Sequence, residues 1–139
     1  MANQKYDNLN VLLAQGKLNW SGDVIKAVLL QGASFTAAHT KLSEVGTEIN
    51  SCMMTGRYVD ETGAMYGNPA VFDAVDEGTG YQVVLCKYVG ASDPDVLAWF
   101  DVDDAGNGLE MSNHGTFLLR PVVNGTPTQG PLTGIWLKA

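Results

Sequence analysis

The sequence predicts a mainly β fold: a single-domain β-sandwich or jelly-roll-like barrel with one or two short helices and an N-terminal arm. Short apolar runs rich in β-branched residues recur along the 139 residues, separated by Gly, Pro, Asn and Asp turn signals. Hydrophobic residues make up 45% and charged residues 17%, which is typical of a folded domain. This length corresponds to one domain, so we expect an arm at residues 1–10 and one β-rich domain at 11–139.

Two short helices are predicted near the N-terminus. The first has Asp7 at its start and Gly16 just past its end, with apolar residues between them. The second spans residues 34–46, where apolar residues recur three and four positions apart and Gly46 can end the helix in a left-handed conformation. The second helix is short, so tertiary packing must hold it.

The strands follow from apolar runs between turn signals. Residues 24–30 contain one polar residue, Lys26, which suits a central strand buried on both faces. Residues 58–59 and 64–66 flank the turn sequence Asp-Glu-Thr-Gly and predict a hairpin. Further strands are predicted at 49–55, 70–75, 81–89, 96–102, 115–123 and 134–137.

The charge pattern argues against nucleic acid and membrane as partners. The formal net charge is −7, and the eight Lys and Arg residues do not cluster. Nucleic-acid binding needs basic surface that displaces counterions from phosphates, and an acidic surface repels anionic lipids. The polar N-terminus has no signal-peptide pattern, and no apolar run reaches membrane-spanning length. We therefore expect the chain to be made in the cytoplasm.

One loop has a partial calcium-binding pattern. Residues 101–110 begin with acids at positions one and three and have Gly at position six, which makes Asp101, Asp103 and Asp104 candidate ligands. However, Ala105 occupies position five, and Ser112 stands where a bidentate Glu is needed. A hairpin turn with solvated acids is the favoured interpretation, and no cofactor is expected.

Catalytic patterns are missing from the sequence. His39 and His114 are the two histidines, and Cys52 and Cys86 stand in apolar runs typical of buried thiols. No nucleophile-elbow motif occurs. We predict that the chain is not an enzyme, an expectation that a cleft with a histidine beside an acid and a nucleophile would reverse.

The tryptophans bear on a carbohydrate-binding alternative, in which exposed aromatic rings stack on sugars. Trp20 stands in a turn cluster and is expected to be exposed. Trp99 and Trp136 stand among apolar neighbours inside predicted strands, which favours the core.

Two segments of the sequence together resemble a known group of proteins. They are residues 18–30 (Leu-Asn-Trp-Ser-Gly-Asp-Val-Ile-Lys-Ala-Val-Leu-Leu) and 35–45 (Phe-Thr-Ala-Ala-His-Thr-Lys-Leu-Ser-Glu-Val). The combination resembles small structural proteins of tailed bacteriophages. Residues 83–88, 96–101 and 134–137 resemble the last three strands of that group, whereas 47–80 and the arm do not match it. The resemblance implies a virion component without catalytic residues.

The expected function is that of a capsid decoration (cement) protein on the capsid exterior. Its expected partners are the phage major capsid protein and copies of itself, since symmetric oligomers match the symmetry axes of a shell. A tail, neck or fibre-associated protein and a carbohydrate-binding β-sandwich are the alternatives. Deleting residues 1–10 is predicted to leave the fold intact and weaken assembly. The predicted interface residues come from the arm and the Gly-rich segment 56–69, namely Tyr6, Leu9, Arg57, Tyr58 and Tyr66.

Overall fold

The structure is a computed structural model that describes residues 3–68, 70–72, 75–76, 78–102, 108–111, 117–119 and 135–138. Its helices are α1 (Asp7–Ala14) and α2 (Leu42–Val45). Its strands are β1 (Gln4–Lys5), β2 (Val24–Gln31), β3 (Asn50–Met53), β4 (Tyr58–Val59), β5 (Ala64–Gly67), β6 (Ala70–Phe72), β7 (Gly78–Tyr88), β8 (Asp95–Phe100), β9 (Leu109–Met111), β10 (Phe117–Leu119) and β11 (Ile135–Lys138).

All strand pairs are antiparallel. The main sheet has the order β1-β8-β7-β2-β3, and β9 pairs with one end of β7. Two smaller sheets have the orders β11-β5-β4 and β10-β6. The mainly β prediction is therefore confirmed, as a sandwich-like single domain with two short helices.

Side chains alternate along each strand of the main sheet, so its two faces pack against different residues. On β2, Ile25, Ala27 and Leu29 pack into a core shared with Phe72 of β6 and Met65 of β5. The opposite face of the sheet packs in a second cluster with residues from α2 and the segment before it. The central strand predicted at 24–30 is thus confirmed as β2, and each face of the main sheet has its own core.

Residues 3–10 are built into the fold, which corrects the expectation of a loosely held arm. β1 pairs with β8, and the Tyr6 N–H donates to the Leu97 carbonyl (3.1 Å). Leu97 is the extra residue of a bulge in β8, opposite the step from Leu85 to Cys86, so its carbonyl is open to this contact. Leu9 is completely buried in the core. The first predicted helix is confirmed as α1.

The second predicted helix is wrong over most of its length, because only Leu42–Val45 is helical. The carbonyls of Ala37 and Thr40 accept hydrogen bonds from Asp7 (3.0 Å) and Val96 (3.0 Å) instead of from a helical turn. These tertiary bonds outweigh the local helix pattern. Gly46 is also extended, and a Cβ there would lie 2.9 Å from Leu30 Cδ2, so close approach explains the glycine.

Cys52 and Cys86 do not form a disulfide with each other, because the strands that carry them, β3 and β7, are not neighbours. β2 lies between β3 and β7, with Ala27 opposite Cys52 and Lys26 opposite Cys86. Cys86 is buried as predicted, whereas Cys52 is half-buried. Burial raises the pKa of the Cys86 thiol, which keeps it protonated and unreactive.

Replacing Tyr6 with phenylalanine is expected to leave stability unchanged or to raise it. The Tyr6 hydroxyl is buried with no hydrogen-bond partner among the described residues. Leaving a buried polar group unpaired costs about 1–3 kcal/mol, which the substitution would recover while the ring keeps its packing on Phe35 (4.9 Å between centroids). Urea denaturation measures the change, with Tyr81→Phe, whose hydroxyl donates to the Asp76 carbonyl, as the control expected to lose stability. A loss with Tyr6→Phe would contradict the expectation.

Candidate functional site

Tyr6 and Leu9 lie in the core of the folded chain. Their exposed fractions are 1% and 0%, so in this conformation neither side chain can reach a partner. Among the predicted interface residues, that leaves Arg57, Tyr58 and Tyr66, which all belong to or adjoin the smaller sheet of β4 and β5.

Arg57 is half-buried, and its guanidinium makes hydrogen bonds within the chain. Its Nε donates to the Met54 carbonyl (3.1 Å), and its Nη1 donates to the Trp20 carbonyl. Burial lowers the pKa of the guanidinium, although it remains charged. Because these bonds tie β4 to the loop before β2, Arg57 positions the smaller sheet and is poorly placed to contact a partner.

Tyr58 and Tyr66 form a stacked pair on the surface. They are cross-strand partners in β4 and β5, with ring centroids 4.8 Å apart and an interplanar angle of 11°. Tyr58 is 55% exposed, which leaves the outer face of its ring open. We call residues 58–66 the tyrosine hairpin; its predicted strand pairing is confirmed.

Asp60 shapes the turn of the tyrosine hairpin. Its Oδ1 accepts from the Thr62 N–H (2.8 Å), the Thr62 hydroxyl (2.6 Å) and the Ala64 N–H (3.1 Å). Its Oδ2 accepts from the Tyr66 hydroxyl (3.1 Å). Gly63 has a φ of 87°, the left-handed conformation that a three-residue hairpin needs at its last position. The turn and the tyrosine pair are thus fixed by one carboxylate.

Trp20 anchors this hairpin to the core, which corrects the expectation that it is exposed. Its exposed fraction is 2%, and its Nε1 donates to the Tyr66 carbonyl (2.8 Å). Trp99 is buried as predicted, and the Trp136 backbone pairs with Tyr66 through β11. Trp20 and Trp99 are therefore unavailable for stacking on a sugar, whereas Tyr58 is available.

β4 also ends its sheet and has a free edge within the described structure. The Asp60 N–H donates to the Ala64 carbonyl (3.0 Å), so the peptide groups of Val59, one residue earlier, point away from β5. Val59 is 48% exposed. A partner's strand could pair with these groups beside the Tyr58 ring.

A second exposed surface lies on the main sheet. Strand register places Val24 opposite Tyr88, and Lys26 opposite Met53, all on one face. We call these four residues, Val24, Lys26, Met53 and Tyr88, the β3 face; its two aliphatic members, Val24 and Met53, are 43% and 50% exposed.

A shallow pocket of about 600 Å³ contains His39, Glu44 and Ser34. These are residue types that could revive an enzyme hypothesis, but no hydrogen bond joins His39 to Ser34 or Glu44. His39 Nδ1 is buried and unpaired within the described structure. Glu44 Oε1 instead accepts from the N–H groups of Thr40 and Lys41, both at 2.8 Å. The nucleophile–base–acid linkage that a catalytic triad requires is therefore not formed.

Only part of the loop with the partial calcium-binding pattern lies within the described residues. Asp101 is half-buried, and its N–H donates to Asn3 Oδ1 (2.9 Å). Asp103, Asp104 and His114 lie outside the described residues. Across the described part of the chain, no group of three or more His, Cys, Asp or Glu side chains could hold a metal ion.

Acid is expected to weaken the fold partly through Asp60 and Glu44. Hydrogen bonds, from the Thr62 side chain to Asp60 and from the Thr40 backbone to Glu44, lower the pKa of both carboxyls. Their stabilising contribution is present above the unfolded-state pKa of about 4 and is lost as pH falls through the lower folded-state pKa. Urea denaturation between pH 7 and pH 2 measures this loss. Asp60→Asn should flatten the acid dependence, and an unchanged slope would contradict this account.

Comparison with models of known protein families, with curated proteins and with solved structures finds no match. Within the described residues, neither helix has the length and apolar character needed to cross a bilayer.

Proposed function

We propose that this chain is a non-enzymatic structural protein that binds another protein surface through the tyrosine hairpin. The observation that carries the proposal is the open Tyr58 ring on a strand edge that no other described strand covers. Tyrosine is enriched at binding hot spots because it offers a large contact area at low entropic cost. Trp20 and Asp60 hold the hairpin in place, so little ordering is needed when a partner binds.

The partner we propose is the major capsid protein of a tailed phage, with the chain acting as a decoration protein on the capsid exterior. The resemblance of residues 18–45 to phage structural proteins supports this partner. The net charge of −7 suits the outside of a shell better than its DNA-filled interior, because like charges repel. The same hairpin could serve a tail, neck or fibre-associated protein.

A carbohydrate-binding function is the second candidate. The open Tyr58 ring could stack on a sugar, and the acidic residues of the adjacent turn, Asp60 and Glu61, could accept hydrogen bonds from hydroxyls. Asp60 is already engaged by Thr62, Ala64 and Tyr66, which leaves it little capacity for a ligand. We therefore rank this function below protein binding.

The proposal can be tested by mixing the purified chain with capsids that lack it. Cryo-electron microscopy should reveal regular added density on the shell, and co-sedimentation should give the affinity. Tyr58→Ala should weaken binding at least tenfold, as for a hot-spot residue worth about 2 kcal/mol. Val71→Ala, a truncation at a 40% exposed side chain of β6 outside the tyrosine hairpin, is the surface control and should bind normally.

Val59→Pro separates the two candidate functions. Proline removes the outward N–H that a pairing strand needs, and it is tolerated at edge positions whose N–H faces away from the sheet. Shell binding by strand pairing should be lost, whereas stacking of Tyr58 on a glycan should persist. Bare shells with the wild-type chain would refute the capsid proposal. Density at the tail would show that the chain is a tail-associated protein instead. Binding of the wild-type chain to a glycan array, lost in Tyr58→Ala, would favour the carbohydrate function.

A further inference from the structure

The β3 face is an apolar surface that the fold leaves half covered. Toward the other end of the same sheet face, Phe35, Leu42 and Val45 pack over Leu30 and Val84 in the second core cluster. The segment that carries these residues does not extend over Val24 and Met53, which remain 43% and 50% exposed. Contiguous exposed aliphatic side chains on a sheet face are typical of a protein–protein interface.

A cation and an anion lie close together at this face, although the whole chain is strongly acidic. The Lys26 ammonium lies 4.6 Å from the centroid of the Tyr88 ring. The hydroxyl of the same ring donates to Glu48 Oε1 (3.0 Å). One tyrosine therefore holds a cation and an anion at separate, fixed positions. Burial, and then the hydrogen bond to Glu48, raise the pKa of the Tyr88 phenol, so its hydroxyl remains a donor well above neutral pH.

A surface with one cation and one anion beside an apolar centre is complementary to itself. In a twofold arrangement, each residue of the patch meets the patch of the other copy, so Lys26 of one chain can face Glu48 of the second. Elsewhere, two chains of net charge −7 repel each other, which disfavours most other contacts between copies. Charge complementarity therefore favours a second copy of this chain as the occupant.

Contact across the sheet face is favoured over extension of the sheet edge. β3 ends the order β1-β8-β7-β2-β3. However, the Ser51 N–H already donates to Asn50 Oδ1 (2.8 Å). A donor occupied in this way is not available to an incoming strand, and such blocking is a common protection of edge strands.

We propose that two copies of this chain associate through their β3 faces, with Met53 and Val24 at the centre and Lys26 paired with Glu48 across the twofold axis. The contact lies on the main sheet and uses none of the tyrosine-hairpin residues. It therefore goes beyond the shell-binding function and does not depend on it.

Sedimentation equilibrium of the purified chain tests the proposal without any capsid. The wild-type chain should approach twice the 14.8 kDa of one copy as its concentration rises to about 0.5 mM, a range in which weak dimers form. Met53→Asp should shift the dissociation constant at least tenfold toward monomer. Val11→Asp is the matched control, because Val11 is 46% exposed on α1, and it should behave as the wild type.

A charge exchange tests the orientation of the two copies. Lys26→Glu and Glu48→Lys should each weaken self-association, because each places like charges opposite each other. An equimolar mixture of the two variants should form a mixed dimer, in which both pairs are again opposite in charge. Circular dichroism checks that each variant is folded. A wild-type chain that stays monomeric, a dimer that survives Met53→Asp, or variants that fail to pair when mixed would each overturn the proposal.

Discussion

Deletion of residues 1–10 is expected to prevent stable folding of the chain. The deletion removes β1, the first half of α1, and two side chains from the core, Tyr6 and Leu9. Burial of one large apolar side chain is worth about 2–5 kcal/mol, whereas a domain has roughly 5–15 kcal/mol of total stability. It also removes the Asn8 side-chain amide, which donates to the Val96 carbonyl (3.2 Å) at the edge of β8.

The single substitution Leu9→Ala isolates this effect in a chain that still folds. It should lower the free energy of unfolding by about 2–5 kcal/mol, because it leaves a cavity at a fully buried position. Val11→Ala on the same helix, where the side chain is 46% exposed, should change it by no more than about 0.5 kcal/mol. Equal effects of the two substitutions in urea denaturation, or a deleted chain that unfolds cooperatively like the wild type, would contradict the docked position of the N-terminal segment.

Most of the strands could be predicted from the sequence because their signals are local, whereas β1 and β9 were not predicted. The apolar run of β2 and the Asp-Glu-Thr-Gly turn of the tyrosine hairpin both specify structure within a few residues. The segment at 34–41 could not be predicted in this way. Its apolar spacing fits a helix, but its carbonyls bond to Asp7 and Val96, which are distant in sequence. The N-terminal segment was misjudged for the same reason, since its partners lie in β8.

The candidate site was predicted in part. Tyr58 and Tyr66 were chosen because they lie in the Gly-rich segment 56–69, which was expected to contact a partner, and the structure places them together as a stacked pair. Arg57 adjoins that pair, but backbone carbonyls of Met54 and Trp20 occupy its guanidinium. The β3 face was missed altogether. Exposed Met53 follows the same apolar pattern as a buried strand residue, and only the tertiary structure decides which part of a sheet is covered.

Replacing Trp20 with alanine is expected to lower the free energy of unfolding by about 3–5 kcal/mol, the usual cost of removing a buried large aromatic side chain. Trp20 is 2% exposed, and its loss would also leave the Tyr66 carbonyl without the donor at 2.8 Å. Since the indole joins the core to β5, the tyrosine hairpin should loosen before the main sheet unfolds. Urea denaturation measures the global loss, and hydrogen exchange of the Asp60 and Ala64 amides reports on the hairpin.

Trp20→Phe separates the packing of the Trp20 ring from its hydrogen bond. Phenylalanine fills part of the cavity but cannot donate to the Tyr66 carbonyl, so its effect should lie between those of wild type and alanine. Tyr58→Ala is the surface control and should change stability far less, because that side chain is 55% exposed. If Trp20→Ala proved as mild as Tyr58→Ala, Trp20 would not be the anchor, and the turn sequence around Asp60 alone would have to hold the hairpin. A loss of glycan or capsid binding in Trp20→Ala would accordingly report unfolding of the site, and only Tyr58 variants can report direct contact.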